Sequence, residues 1–148
     1  MREAGFDVPV SVNLSRRQLL APSLLLDVAA ALEAESLRPG DLQVEVSEAV
    51  LVDADARIVA ALCGLDGLGM GLVVDNFGTG TSSIAGLQRL PVRRVKIDGA
   101  LVREVPGARA SEAMVRAVLA LGRTLGVHVM AEGVETEQQA SFLSLIHI

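Results

Sequence analysis

Hydrophobic and polar positions alternate with a period of two in five short stretches of this chain, and recur at helical spacing between them. Val8–Asn13, Leu42–Ser47, Gly71–Asp75, Val92–Asp98 and Val127–Glu132 read as strands. Ser15 and Gln18 form a capping-box pair that opens a helical turn, and Pro22 suits the first turn of a helix reaching about Ser36. Pro39 and Gly40 then break the chain. Further helices are expected from about Asp55 to Leu68, near Ser83–Leu90, from a cap at Ser111 to Leu125, and from Thr136 onward, with Gly126 ending the longest.

Strands alternating with helices of this length imply βαβ units and a parallel sheet. Side-chain phase separates an open doubly wound sheet from a barrel, because alternate residues of a strand face opposite sides. Val8, Val10 and Val12 share one face and Ser11 and Asn13 the other; Leu42, Val44 and Val46 oppose Gln43, Glu45 and Ser47. Leu72 and Val74 oppose Val73 and Asp75, and Val95 and Ile97 oppose Lys96 and Asp98. Val127, Val129 and Ala131 oppose His128, Met130 and Glu132. Each strand thus offers one apolar face to covering helices and carries polar groups at the C-terminal end of the other. A (β/α)8 barrel with its site at the C-terminal mouth predicts that pattern, whereas a sheet covered on both faces would be apolar throughout. The expected fold is α/β, a partial TIM-like barrel of about five consecutive strands with their helices, not closed.

Composition narrows the chemistry. The 148 residues are 51% hydrophobic with mean hydropathy +0.46, enough to bury a core. No apolar run reaches the ~18 residues of a membrane span; Leu19–Leu32 comes nearest, is interrupted by Asp27, and reads as a buried amphipathic helix, so no membrane contact is expected of this segment. A single cysteine, Cys63, rules out an internal disulfide, fits the cytoplasm, and is expected in the core. The net charge of −5 and the lack of Trp and Tyr argue against binding a nucleic-acid polymer, though a metal could supply positive charge for a single nucleotide. Of 13 basic residues only Lys96 is lysine, so a lone lysine in a strand invites a chemical explanation.

Asn13, Glu45, Asp75, Lys96 and Glu132 stand at successive strand ends, with gaps of 32, 30, 21 and 36 residues that suit one βα unit apiece. Asn13, Glu45 and Asp75 offer hard oxygen ligands suited to Mg²⁺ or Mn²⁺ rather than zinc. A metal beside carboxylates and a lysine lowers the pKa of water and screens an anionic substrate. The residues alone point to a divalent metal and an oxyanionic substrate, and do not name it. His128 is expected as a hydrogen-bonded residue of the barrel interior, and Asp53, Asp55, Glu135 and Glu137 as helix-start carboxylates.

At these positions the chain resembles EAL domains. VSVNLS (Val10–Ser15 with its flank), VEVSE (Val44–Glu48), DNFGTGTSS (Asp75–Ser83), VKID (Val95–Asp98) and AEGVET (Ala131–Thr136) follow the family's signature blocks in order, up to about Phe142. The resemblance implies hydrolysis of cyclic di-GMP to linear pGpG with two Mg²⁺ or Mn²⁺ ions. It casts Asn13, Glu45 and Asp75 as metal ligands, with Asn76 in the place of a further one. Lys96 resembles the lysine that orients the attacking water, Glu132 a carboxylate serving metal and water, and Glu48 the glutamate that steadies the loop after Asp75. That loop, Phe77–Ser83, resembles one that orders the second metal and a homodimer interface.

Three departures qualify the match. The Glu-Ala-Leu signature would lie upstream of Asn13, a usual aspartate pair is Asp75–Asn76, and a late glutamine-glycine block is missing. Residues 1–142 are therefore expected to be a partial EAL domain, inactive alone. Leu143–Ile148, LSLIHI, reads as a non-native tail, the translation of a transposon end used in preparing sequencing libraries. The alternative function is a degenerate EAL domain that binds cyclic di-GMP as a receptor without cutting it.

Overall fold

In a computed structural model, which describes residues 9–78 and 84–146, the chain forms one five-stranded parallel sheet in the order β1-β2-β3-β4-β5. The strands are β1 (Val10–Asn13), β2 (Leu42–Ser47), β3 (Gly71–Phe77), β4 (Val92–Ile97) and β5 (His128–Ala131). Each is joined to the next by helices: α1 (Arg16–Leu19) and α2 (Leu24–Ala34), then α3 (Glu48–Val52) and α4 (Ala56–Gly67), then α5 (Ile84–Arg89). After β4 come α6 (Gly99–Arg103) and α7 (Arg109–Leu125), and α8 (Glu137–Leu145) follows β5. Sequential parallel strands with helical crossovers are the barrel's local grammar, and β1 and β5 remain edges of an unclosed sheet.

The core lies on the helix-covered face. Val44, Val46, Leu72, Val74, Val95 and Ile97 pack there with Ile58, Leu62 and Leu65 of α4 and Val115, Val118 and Leu119 of α7. Local signals set the ends of the helices. Ser15 and Gln18 close the expected capping box on α1, Thr136 and Gln139 close another on α8, and Gly126 stops α7 in the left-handed conformation at φ 69°.

Two bulges tune the phase of the sheet. Leu72 pairs with Val92 and Val73 with Arg94, so β4 carries the extra residue Arg93, whose guanidinium reaches Asp66 at 3.0 Å. Farther on, Val74 pairs with Val95 and Phe77 with Ile97, so β3 takes three steps where β4 takes two. The residues crossed are Asp75 and Asn76, and Asn76 has φ 55°. An added residue flips every side chain beyond it to the other face. Val74 and Phe77 therefore both reach the core, despite their odd spacing.

Several expectations fail in informative ways. Val10 and Val12 are 46% and 40% exposed, because the outer face of the edge strand β1 is left bare. The expected turn at Ser15–Gln18 and main helix after Pro22 form as α1 and α2, but α2 is not the buried helix expected of Leu19–Leu32: it buries only Leu32, while Leu26 is exposed. Cys63 lies on the outer side of α4, exposed rather than in the core, and His128 is likewise exposed. α7 begins at Arg109, not at a Ser111 cap; Ser111 is buried and its hydroxyl donates to Glu104. The short helix α6 has no counterpart among the expected elements, and α3 begins at Glu48, a residue whose charge suits a helix start. No helix of the described residues is long and apolar enough to cross a membrane.

Candidate active site

Lys96 is the centre of the polar face. Its ammonium lies 2.7 Å from Glu45 Oε2 and 2.6 Å from Glu132 Oε1, joining β2, β4 and the segment just after β5. Alternation produces this geometry. Glu45 lies between Val44 and Val46, and Lys96 between Val95 and Ile97, so burying the valines and isoleucine on the core side turns the charges to the other. Glu45 is 4% exposed, whereas the Glu132 side chain is half-exposed at the rim.

Electrostatics fix the charge states. Burial pushes the Glu45 carboxyl up, but hydrogen bonds from Lys96 and Ser11 and the charge of Lys96 outweigh it and hold the group below the ordinary carboxylate range. Burial also pulls Lys96 down, and Glu132 and Glu45 more than restore it, leaving the amine above its usual value. Lys96 is therefore a fixed cation, not a base. It has three donors, of which two point to Glu132 and Glu45, leaving a third N–H for an oxygen of water or phosphate.

Asn13 pairs in register with Glu45, at the end of β1. Asp75 stands one strand over, in register with Ser47, and the bulge presents Asn76 beside it. Asp75 Oδ1 accepts the Asn76 backbone N–H at 2.9 Å, and Oδ2 accepts the Asn76 amide at 3.2 Å. The amide thus gives Asp75 a donor where a second carboxylate would repel it. Glu48 opens α3 and also reaches the next crossover: its Oε2 accepts the Gly78 N–H at 3.1 Å. Its other oxygen is buried without a partner among the described residues. Residues 79–83, the larger part of the expected loop and homodimer contact Phe77–Ser83, lie outside the described residues.

The structure thus brings Glu45, Lys96 and Glu132 into direct contact, sets Asn13 and Asp75 on the adjoining strand ends, and ties Glu48 to the loop's start. Among the described residues no three His, Cys, Asp or Glu side chains converge as a ready metal cluster. The donor set of amide and carboxylate oxygens still fits a hard divalent cation, with Asn13, Glu45 and Asp75 as the residues that would hold it.

Sequence reading overlooked the layer beneath. Arg94 Nη1 donates to Gln43 Oε1 at 2.6 Å, and Gln43 Nε2 donates to the Ser11 hydroxyl. Ser11 and Gln43 are register partners, and β3 presents Gly71 opposite Gln43. The available signal was parity: Arg94 is two residues before Lys96 and so shares its face.

Comparison with known proteins agrees with this fold. The EAL domain family model matches residues 1–148. The chain is 43% identical over 139 residues to the bifunctional diguanylate cyclase/cyclic di-GMP phosphodiesterase MucR of Pseudomonas aeruginosa, covering 93% of this chain and 20% of that protein. The solved MucR phosphodiesterase complex with c-di-GMP superposes with TM-score 0.87 at 41% identity, over 94% of this chain and 56% of that one. The EAL domain of Mycobacterium smegmatis DcpA gives TM-score 0.91 at 33% identity, over 99% and 66%. A manganese/cy-diGMP complex of Klebsiella pneumoniae BlrP1 gives 0.89 at 29%, over 99% and 38%. The chain spans about a fifth of the length of MucR.

Proposed function

The chain belongs to the EAL domain family, and from that we propose that it carries the water-activating side of a site that hydrolyses cyclic di-GMP to linear pGpG in bacterial signalling. The observation that carries this reading is the Lys96 ammonium held between Glu45 and Glu132 at a strand-end mouth. The cyclic di-GMP and manganese in the related MucR and BlrP1 complexes support the substrate and the class of cofactor.

Asn13, Glu45 and Asp75 would hold Mg²⁺ or Mn²⁺. When bound, the metal supplies positive charge that makes water more acidic and screens the phosphodiester. Lys96 directs its remaining N–H to the attacking water or to the charge that develops on phosphate oxygen. Glu132, half-exposed and already aligned by Lys96, is placed to accept the proton that water gives up. Attack on phosphorus breaks one P–O bond of the ring, and the departing oxygen takes a proton from solvent. Glu48 positions the loop after Asp75 through the Gly78 N–H. Asn76 brings an amide in place of charge, which limits what a second metal gains there.

The experiment is turnover of cyclic di-GMP by the full-length protein, followed as pGpG by chromatography. Activity should require Mg²⁺ or Mn²⁺ and vanish in Glu45→Ala. Undiminished turnover after chelation, or in Glu45→Ala, overturns the reading. Tight binding of cyclic di-GMP by the unaltered protein without any pGpG assigns it instead as a receptor.

A further inference from the structure

We infer that the N-terminal end of the sheet holds a second site, which binds a phosphate group through the Arg94 guanidinium and the His128 imidazole. It lies toward the opposite end of the strands from Asn13, Asp75 and Glu132, and it does not rest on the function proposed above.

The site is a cavity of about 390 Å³ whose lining includes Gln43, Gly69, Gly71, Arg93, Arg94 and His128. That size falls in the ~300–1,000 Å³ range of small-ligand sites. Glu45, Lys96 and Glu132 do not line it, so the space is separate from the candidate active site. Gly71 helps to keep it open. It pairs in register with Gln43, and a Cβ there would meet Gln43 Cβ and Arg93 Cδ at 3.8 Å, in ordinary contact. A longer side chain at that position would take up the cavity.

Charge decides what the cavity accepts. Among the described residues no Asp or Glu lines it. The Arg93 guanidinium is already neutralised by Asp66 at 3.0 Å. Arg94 differs: its Nη1 donates to the neutral Gln43 Oε1 at 2.6 Å, and no carboxylate pairs with it among the described residues. Lys96, two residues farther along the same face of β4, has two carboxylates for one charge. Arg94 thus stands half-buried with its charge uncompensated, an arrangement that an anion relieves. His128 is its register partner on β5, so imidazole and guanidinium flank one space. The planar guanidinium fork matches two oxygens of a phosphate, and an imidazole N–H adds a further donor.

The test follows the phosphorus NMR line width of inorganic phosphate as metal-free full-length protein is added at constant ionic strength. The unaltered protein should broaden the line saturably. Arg94→Gln should weaken binding about 10-fold or more, the worth of a charge-assisted hydrogen bond. Gly71→Val, which keeps every charge and fills the space, should weaken it as much, with thermal unfolding confirming that both variants fold. Ribose 5-phosphate as a second probe identifies the source of the phosphate: tighter binding than inorganic phosphate assigns an ester, weaker binding the free ion. Absence of saturable broadening by the unaltered protein, or undiminished binding in either folded variant, overturns the site. Binding that is lost in Lys96→Met and kept in Arg94→Gln overturns it too, by placing the phosphate at the candidate active site.

Discussion

Lys96 on β4 and Glu45 on β2 meet 2.7 Å apart across β3, the strand that separates them in the sheet. Only a long, unbranched cation reaches so far while keeping a compact head with donors to spare. Replacing Lys96 by Met keeps the stem and removes the charge. Turnover should fall ~10²–10³-fold, as when one donor to a developing oxyanion is removed. Cyclic di-GMP binding should persist within a few-fold. Wild-type kcat in Lys96→Met by pGpG chromatography would take the lysine out of the mechanism.

Glu48 ties the α3 turn to Gly78 through one backbone N–H. Glu48→Ala leaves that donor without its acceptor, a loss worth ~1–3 kcal/mol when the group stays buried. Hydrogen exchange should quicken by tenfold or more in the peptide that begins at Phe77, while exchange in β2 stays unaltered. Equal exchange in both proteins would mean that Glu48 serves only the start of α3.

Asn76 donates its amide to Asp75 at 3.2 Å. Asn76→Asp removes that donor and sets two carboxylates side by side, a pair that a cation relieves. Without metal the variant should melt at lower temperature than the parent; with saturating Mn²⁺ the gap should close or reverse, and Mn²⁺ affinity should rise. A Mn²⁺ affinity that stays put would exclude position 76 from the metal site.

Gly122 lets α7 lie close against Val127 and Val129. A Cβ there would stand 2.4 Å from Val129 Cγ2 and 3.0 Å from the Val127 carbonyl oxygen. Alanine normally favours a helix over glycine by ~1 kcal/mol, but overpacking of this kind costs ~1–3 kcal/mol. Gly122→Ala should therefore lower the urea midpoint. A higher midpoint would show that β5 yields easily.

Asp55 caps α4, accepting the N–H groups of Arg57 at 2.9 Å and Ile58 at 3.1 Å. The Ile58 N–H above all, against a smaller opposing push from burial and with further help from Arg57, holds its carboxyl below the ordinary range. A depressed acid stabilises the fold above its unfolded pKa and loses that contribution as pH falls through the folded one. The difference in melting temperature between the parent and Asp55→Ala should be level from pH 5 to 8 and begin to shrink only below about pH 4. A gap that widens on acidification would contradict the assigned bonds.

The sequence made Asn13, Glu45, Lys96 and Glu132 legible because period-two alternation ties a residue's face to its valine and isoleucine neighbours, and burial enforces it. The same rule stops at Asp75, where an inserted residue reverses the phase without altering composition. Ser111 looked like a cap by residue type and neighbourhood, but its partner is Glu104, reached through tertiary folding. α3 and α6 span five residues each, too few to show a helical period. Cys63 was assigned from its apolar helical surroundings and His128 from strand phase, and neither signal tells which face of a helix or edge of a sheet is bare. Arg94 was readable by parity with Lys96; its partner Gln43, two strands away, was not.

The left-handed backbone at Asn76 restricts what can stand there before any chemistry is considered. At φ 55° glycine, asparagine and aspartate sit with little strain, and β-branched or bulky side chains do not. Substitution at this point therefore has few unstrained outcomes, chiefly asparagine, aspartate and glycine. The backbone thus sets, ahead of any chemistry, how few side chains position 76 accepts.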